Sequence, residues 1–238
     1  MTQRSDARPK GPGRRPGPTT WALSPTDLTY LWDECPRCFY RKVALREPRP
    51  RAPFPGVFGR IDGAMKAFYL GQRTESLIPK MAPGLIGAGD RWVKGAPVVP
   101  PGRASACVIR GRVDVLVACD DGTTAVVDFK TVEPGPASVA KYTRQLHAYA
   151  TALEHPATGP ATAVSQLGLV CFCPRTYEAE EARAKLHGDL AWVEVARDDD
   201  VFLGFLTDVV TLLECDQLPP PAAECPWCSW RSRPRDAG

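Results

Sequence analysis

Long apolar runs are missing from this 238-residue sequence. No stretch approaches the roughly 20 residues that a membrane-spanning helix requires, which excludes a helical membrane protein. The N-terminus has basic residues but no apolar h-region, so it does not read as a secretory signal and a cytoplasmic location is expected. There is no internal repeat, which excludes a repeat array. An even cysteine count is also lacking. Nine cysteines without an export signal argue for a reducing interior rather than a disulfide framework. Strong charge of one sign is confined to the tail. Residues 1–19 hold five basic side chains (Arg4, Arg8, Lys10, Arg14, Arg15) against Asp6, so the net charge of +3 leaves the remaining chain one charge negative.

What is present is an ordinary globular composition, 44% hydrophobic and 24% charged, in a chain long enough to bury a real core. Residues 1–20 read as a disordered basic tail rich in Pro and Gly, residues 21–230 as a single domain and residues 231–238 as a flexible C-terminus. The tail is either a solvated terminus or a source of non-specific affinity for phosphate backbones.

Ser24-Pro25-Thr26-Asp27 is a helix start, with Ser at the N-cap and Pro at the first helical position. The spacing predicts a helix through Leu28, Leu31 and Trp32 to about Cys35, where Pro36 interferes. A proline-rich connection from Glu47 to Gly56 precedes a second helix, with Phe58, Ile61, Met65 and Phe68 on its apolar stripe. Residues 82–105 read as a long loop. Val108–Val117 and Ala125–Thr131 alternate with period two, which makes them half-buried strands. Asp120-Asp121-Gly122 turns them into a hairpin. A helix follows over about Ser138–Glu154, with Val139, Tyr142, Leu146, Tyr149 and Leu153 on one stripe. Strands are expected at Leu167–Cys173 and Ala191–Ala196, and a last helix near Val201–Glu214 burying Phe202, Phe205, Val209 and Leu212. The order is α/β, but not the repeated βαβ of a doubly wound nucleotide fold.

Asp128-Phe129-Lys130 puts a carboxylate and an ammonium on one strand face, with Phe129 pointing into the core. Phosphodiester hydrolysis is slow in water, and a hard divalent ion helps by neutralising phosphate charge and activating a bound water. One or two carboxylates suffice for Mg²⁺. Asp128 offers one, and Lys130 is placed to position the nucleophile or to stabilise charge developing on phosphate. Asp114, on the polar face of the preceding strand, is brought near Asp128 by the hairpin. Two carboxylates that close repel unless a cation lies between them. The bland alternative is an Asp–Lys ion pair on a solvated sheet. Gln145 and Tyr149, at i and i+4, share a helix face. Gln145 is suited to hydrogen-bond water or phosphate, whereas Tyr149 also lies on the apolar stripe.

In order, Gly111-Arg112-Val113-Asp114, Val127-Asp128-Phe129-Lys130-Thr131 and Gln145-Leu146-His147-Ala148-Tyr149 resemble the PD-(D/E)XK nuclease superfamily, and most nearly its RecB-like branch with a Q-x-x-x-Y helix. The resemblance implies a restriction-endonuclease-like core, a central mixed sheet flanked by helices. It implies that Asp114 and Asp128 ligate Mg²⁺ or Mn²⁺, that Lys130 is catalytic, and that Gln145 and Tyr149 support substrate and water. It also implies DNA as substrate, single strands included, exonuclease action, and a helicase, CRISPR or repair protein as partner. Relatives often carry a His in a G-x-x-x-H helix. Here Gly59-Arg60-Ile61-Asp62-Gly63 has none, so Asp62 either replaces it as a metal or water ligand or forms an i, i+4 ion pair with Lys66.

Cys35-Pro36-Arg37-Cys38 and Cys225-Pro226-Trp227-Cys228 are two C-x-x-C pairs near opposite ends of the chain. Together they suit a four-thiolate Zn²⁺ or iron–sulfur site that joins the N- and C-terminal segments. A thioredoxin-like redox role fits poorly, because no βαβ context accompanies either pair. By spacing zinc is close behind, and the family resemblance favours a structural 4Fe–4S cluster. Cys107, Cys119, Cys171 and Cys173 are expected to be packing residues, with Cys215 a reserve ligand. The function expected is a divalent-metal-dependent DNA nuclease. The alternative is a catalytically impaired nuclease fold that binds nucleic acid, or a metal-cluster protein.

Overall fold

A computed structural model describes residues 17–50, 56–77, 80–87 and 89–232. The fold is mixed α/β, with a curled mixed sheet flanked by helices. β1 (Thr20–Leu23) leads into a π-helical turn, Asp27–Leu31, and a short α1 (Trp32–Glu34). Ser24 caps this segment as its type predicts, its Oγ accepting from the Asp27 N–H at 3.3 Å. Pro36 does end that helix. It also starts another, α2 (Pro36–Ala44), because a proline at the first helical position gives up an N–H that has no intrahelical partner anyway. The helix over 36–44 was not expected.

α3 (Gly56–Tyr69) differs from its predicted stripe. Phe68 is 64% exposed and Phe58 also faces outward, while Tyr69 is the buried residue and stacks on Phe129 with ring centroids 5.9 Å apart. The expected loop over 82–105 contains two short strands, β2 (Gly84–Ile86) and β3 (Arg91–Lys94). Neither is long enough to show a period-two signal among its glycines and prolines.

The predicted strand Val108–Val117 is broken at Asp114. Its first half, β4 (Ala106–Val113), belongs to a three-stranded sheet of order β1-β4-β3. Its second half, β5 (Val115–Cys119), belongs to a five-stranded sheet. That sheet runs β2-β5-β6-β7-β8, with β6 at Thr124–Lys130, β7 at Val164–Glu180 and β8 at Arg183–Glu194. β5 and β6 form the expected antiparallel hairpin, and β6 then pairs in parallel with β7. β6 is therefore central and buried on both faces rather than half-buried. α4 (Pro136–Glu154) packs across the sheet by Tyr142, Leu146, Tyr149 and Leu153, all buried.

α5 (Asp199–Glu214) starts at Asp198, whose carboxylate accepts from the Val201 N–H at 2.9 Å. It buries Phe202 and Val209 with Leu206, Val210 and Leu213, while Phe205 and Leu212 are only partly covered. The larger core cluster lies among β1, α2, α4, α5 and one face of the sheet. A smaller one, built on Tyr69, Ile86, Val117, Val127 and Phe129, fills the other face beneath α3. β7 and β8 outrun their predicted lengths because pairing continues past Cys173 into an exposed hairpin arm with no core face to pattern it. A final helix, α6 (Pro226–Ser232), carries the second Cys pair.

Candidate active site and a four-cysteine centre

Asp114 sits at the corner where the chain leaves one sheet for the other. Val115 pairs with Val127, and extending that register by one residue sets Asp114 opposite Asp128. The two carboxyl groups are close enough to perturb each other's titration in opposite directions. Asp128 is 1% exposed. Burial pushes its acid up to about 7, with the Asp114 charge reinforcing the shift against the opposing pull of Lys130. Burial would raise Asp114 too, but the hydrogen bond with Asp128 and the charges of Lys130 and Lys66 hold it below its ordinary value. This is a pair whose surroundings split two like groups, as expected of a site that holds cations.

Lys130 Nζ lies against Asp128 Oδ2 and 4.8 Å over the Tyr142 ring. Burial works against its charge, but Asp128 and Asp114 outweigh it and raise its pKa, so it is an ammonium at neutral pH. Gln145, 6% exposed, donates from Nε2 to Asp128 Oδ1 at 3.2 Å. Helix α4 thus fixes the orientation of the metal-ligand candidate on β6.

Tyr149 is buried, and its hydroxyl donates to the Arg112 carbonyl at 2.6 Å, two residues before Asp114. It anchors the strand end that presents Asp114. Gly111 makes that approach possible, since a Cβ there would stand 2.7 Å from Pro25 Cδ and 3.2 Å from Tyr149 Cε1.

Both readings of Asp62 find support in its surroundings. Its Oδ2 pairs with Lys66 at 2.9 Å, the i, i+4 contact expected on a helix. Lys66 also reaches Asp114 Oδ1 at 3.0 Å, which brings Asp62 to the same cluster. Asp62, Asp114 and Lys130 line one cleft of about 400 Å³, with Tyr30 and Tyr142 at its wall. Two acceptor oxygens here are buried without a partner, Asp62 Oδ1 and Gln145 Oε1, while Asp128 Oδ2 meets only the Lys130 ammonium. Asp114 and Asp128 are the hard-oxygen type of donor that Mg²⁺ or Mn²⁺ takes, and one or two carboxylates suffice for it, but no three carboxylates among the described residues come together as the four cysteines do.

Sequence reasoning treated Lys66 only as a surface partner of Asp62. It is the cation that ties α3 to Asp114. Asp90, 3.9 Å from Lys66 and 2.9 Å from Arg112, was also missed. It lies in the stretch read as loop, where no periodicity pointed to it. The three histidines of the chain stay outside the cluster. His147, on the same helix as Gln145, spends Nδ1 on the Thr143 carbonyl and Nε2 on the Asp198 N–H.

The two Cys pairs meet. The Sγ atoms of Cys35, Cys38, Cys225 and Cys228 all lie within 4.8 Å of one another, with three of the separations at 3.6–3.7 Å. They join α2 to α6. Burial would raise the Cys35 thiol, but backbone N–H groups of Ala222 and Cys38 and the neighbouring thiols bring it down to about 6. Cys38 and Cys228 are raised, burial first. Arg49 donates to Cys225 at 3.6 Å and supplies counter-charge. Among the described residues this is the one Cys, His or carboxylate group with metal-ligand closeness. Cys215 is exposed and apart from it, while Cys107, Cys119, Cys171 and Cys173 are buried as expected of packing residues.

A curled mixed sheet with paired carboxylates, a lysine two residues on and a glutamine from the following helix is the arrangement of a nuclease fold. The family model of the PD-(D/E)XK nuclease superfamily matches residues 87–233, more than half the chain, and the chain belongs to that superfamily. The matched span contains Asp114, Asp128, Lys130, Gln145, Tyr149 and the second Cys pair, but neither Asp62 nor the first Cys pair. Among solved structures the chain is similar to SSO0001, at 18% identity over 80% of this chain and 76% of that one, with a TM-score of 0.43. It is also similar to an alkaline exonuclease from Laribacter hongkongensis, at 10% identity over 81% and 86%, with a TM-score of 0.39. No curated protein matches the chain. No helix among the described residues is long and apolar enough to cross a membrane.

Proposed function

We propose that this chain is a Mg²⁺- or Mn²⁺-dependent DNA nuclease of the RecB-like type, acting as an exonuclease. The observation that supports this reading is that Asp62, Asp114 and Lys130 line one cleft, with Asp128 buried against Lys130 at its side. Asp114 and Asp128 would hold the ion, with Asp62 as the third carboxylate of the cleft. When bound, the ion supplies phosphate neutralisation and an acidified water. Lys130, kept charged by its neighbours, orients the attacking water and stabilises negative charge on phosphate. Gln145 holds Asp128 in place, and Tyr149 holds the strand end that carries Asp114. The test is degradation of labelled single- and double-stranded DNA with EDTA, Mg²⁺ or Mn²⁺. Wild-type protein should cleave with either ion, and Asp128→Ala should not. Full activity in Asp128→Ala would refute the assignment.

A second reading is favoured by Lys66, which already bridges Asp62 and Asp114. If that ammonium takes the cation's place permanently, the chain is a nuclease fold that only binds nucleic acid. DNA affinity that falls steeply with salt, without cleavage in any divalent ion, selects it.

For the four cysteines the sulfur spacing supports a single tetrahedral ion such as Zn²⁺. Bonds of about 2.3 Å in a tetrahedron put sulfurs about 3.8 Å apart; three of the six separations here are 3.6–3.7 Å and all six fall within 4.8 Å. In a 4Fe–4S cluster each thiolate sits on its own iron, and the sulfurs stand farther apart than ligands of one ion. Metal analysis and a visible spectrum of anaerobically purified protein decide between them. One zinc per chain and no colour is expected. A brown protein with broad visible absorption would establish the cluster that the family resemblance implies.

A further inference from the structure

A groove of about 680 Å³ is lined by β1 and the turn after it, the end of α2 and the outer face of β3–β4. Its charged lining is Lys42, Arg46, Arg110 and Arg112 against one acid, Asp27, which is already tied to Lys42 at 2.6 Å. No carboxylate among the described residues pairs with Arg46 or Arg110. Trp92 stands in this lining 66% exposed, with the Arg110 guanidinium 5.9 Å from its ring centroid. The β3–β4 register pairs Trp92 with Arg112 and Lys94 with Arg110, so one sheet face presents an indole among three cations. Large exposed indoles are costly to leave in water, and neither core cluster includes this one.

A basic groove with an exposed aromatic is the combination that binds single-stranded nucleic acid. Phosphates follow the cations and an unpaired base stacks on the ring. A duplex offers no free base face for that stacking. The groove shares no lining residue with the carboxylate cleft, and the two are linked by side chains. Tyr149 and Arg112 line the groove, and Asp90 links Arg112 to Lys66, which pairs with Asp114. Thr19 and Thr20 also line it.

We propose that this groove seats single-stranded DNA, with a base on Trp92 and phosphates on Arg46, Arg110 and Arg112. That this strand is the one cut rests on the nuclease reading. The binding does not.

The test is fluorescence anisotropy of a labelled oligo-dT and of a blunt duplex, with the full chain in EDTA over a range of salt. Trp92→Ala should weaken oligo-dT binding about tenfold and leave duplex binding unchanged, and Trp92→Phe should restore most of it. Arg46→Ala and Arg110→Ala should each lower the salt slope by roughly 0.7. Oligo-dT affinity unchanged by Trp92→Ala and Arg110→Ala overturns the proposal. Cleavage that Asp128→Ala abolishes, beside such unchanged affinity, means that the groove assignment alone fails. Trp92-dependent binding without metal-dependent cleavage means that the nuclease reading alone fails.

Discussion

The carboxylate cluster and the cysteine cluster are both buried groups of potential ligands, yet they are assembled in opposite ways. Asp114, Asp128, Lys130 and Gln145 lie within a short stretch of chain and are aligned by hairpin register and one helix. The cysteines come from Cys35–Cys38 and Cys225–Cys228 and meet only when the whole chain has folded. The first cluster balances hard oxygens with two ammonium groups, Lys66 and Lys130. The second sets soft sulfurs beside one guanidinium. A site organised by local register is positioned for chemistry. A site that closes a loop of this length resists unfolding, because it removes chain entropy from the unfolded state. Chemistry and stability should therefore separate when each cluster is perturbed alone.

The largest effect should fall on chemistry. Lys130→Met keeps the stem that packs on Tyr142 but removes the charge beside Asp128. Cleavage should drop by roughly 10²–10³-fold, the scale found when one preorganised donor is lost, while the fold persists. The measurement is initial rate at saturating Mg²⁺ beside a melting curve. Equal loss of activity and of melting temperature would merge the two clusters into one structural unit.

Next comes the converse. Cys225→Ser with Cys228→Ser opens the clasp between α2 and α6. Cross-linking a loop this long is worth about 5 kcal/mol in the chain-entropy model. For a chain of this size that means a fall of roughly 10–20 °C in melting temperature. Cleavage at low temperature should stay within a few-fold of wild type. Activity lost below the melting transition would break the comparison, by making the cysteine centre part of the chemistry.

These two clusters also differ in how far the sequence foretold them. Asp114, Asp128 and Gln145 were legible because period two and period 3.6 fix which side chains share a face, and the structure brings them together. The Cys pairs were legible by spacing alone. The break at Asp114 was not, because the apolar alternation runs through Val113 and Val115 although the two halves belong to different sheets. α3 was placed correctly but rotated. Phe58 and Phe68 mimic a stripe, while Tyr69 is what the sheet buries. β1, β2 and β3 are three or four residues long, too short for any periodicity. Asp90 and Trp92 were lost with them, and so was the groove. Lys66 was visible only as the helical neighbour of Asp62, because its second partner comes from another element.

Asp62 offers a finer cut through the carboxylate cluster. If it serves the cation as well as Lys66, Asp62→Ala should lower Mg²⁺ affinity or cleavage about 10–100-fold, as losing a supporting ligand does. Asp62→Glu should recover part of it, since it keeps a carboxylate there. Wild-type activity in Asp62→Ala would reduce Asp62 to an ion pair on α3.

The smallest effect concerns protons, and its sign follows from Asp128. The folded, metal-free chain holds this acid up to about 7 against an ordinary 3.8. The folded state thus binds a proton that the unfolded state releases, and the stability this gives is complete below about pH 4 and lost as pH rises through about 7. Mg²⁺ competes with that proton for the same oxygens. Its apparent affinity should therefore rise with pH by up to about tenfold per unit below 7, and level off above. Gln145→Leu removes the Nε2 donor from Asp128 Oδ1. Losing a hydrogen bond that favours the charged carboxylate should raise the acid further and move the break to higher pH. Titrating Mg²⁺ by calorimetry between pH 5.5 and 8.5 reads both curves. Affinity that is flat across this range would mean that Asp128 holds no proton for the ion to displace, and the cysteine centre would then be the better candidate for any pH dependence of this protein.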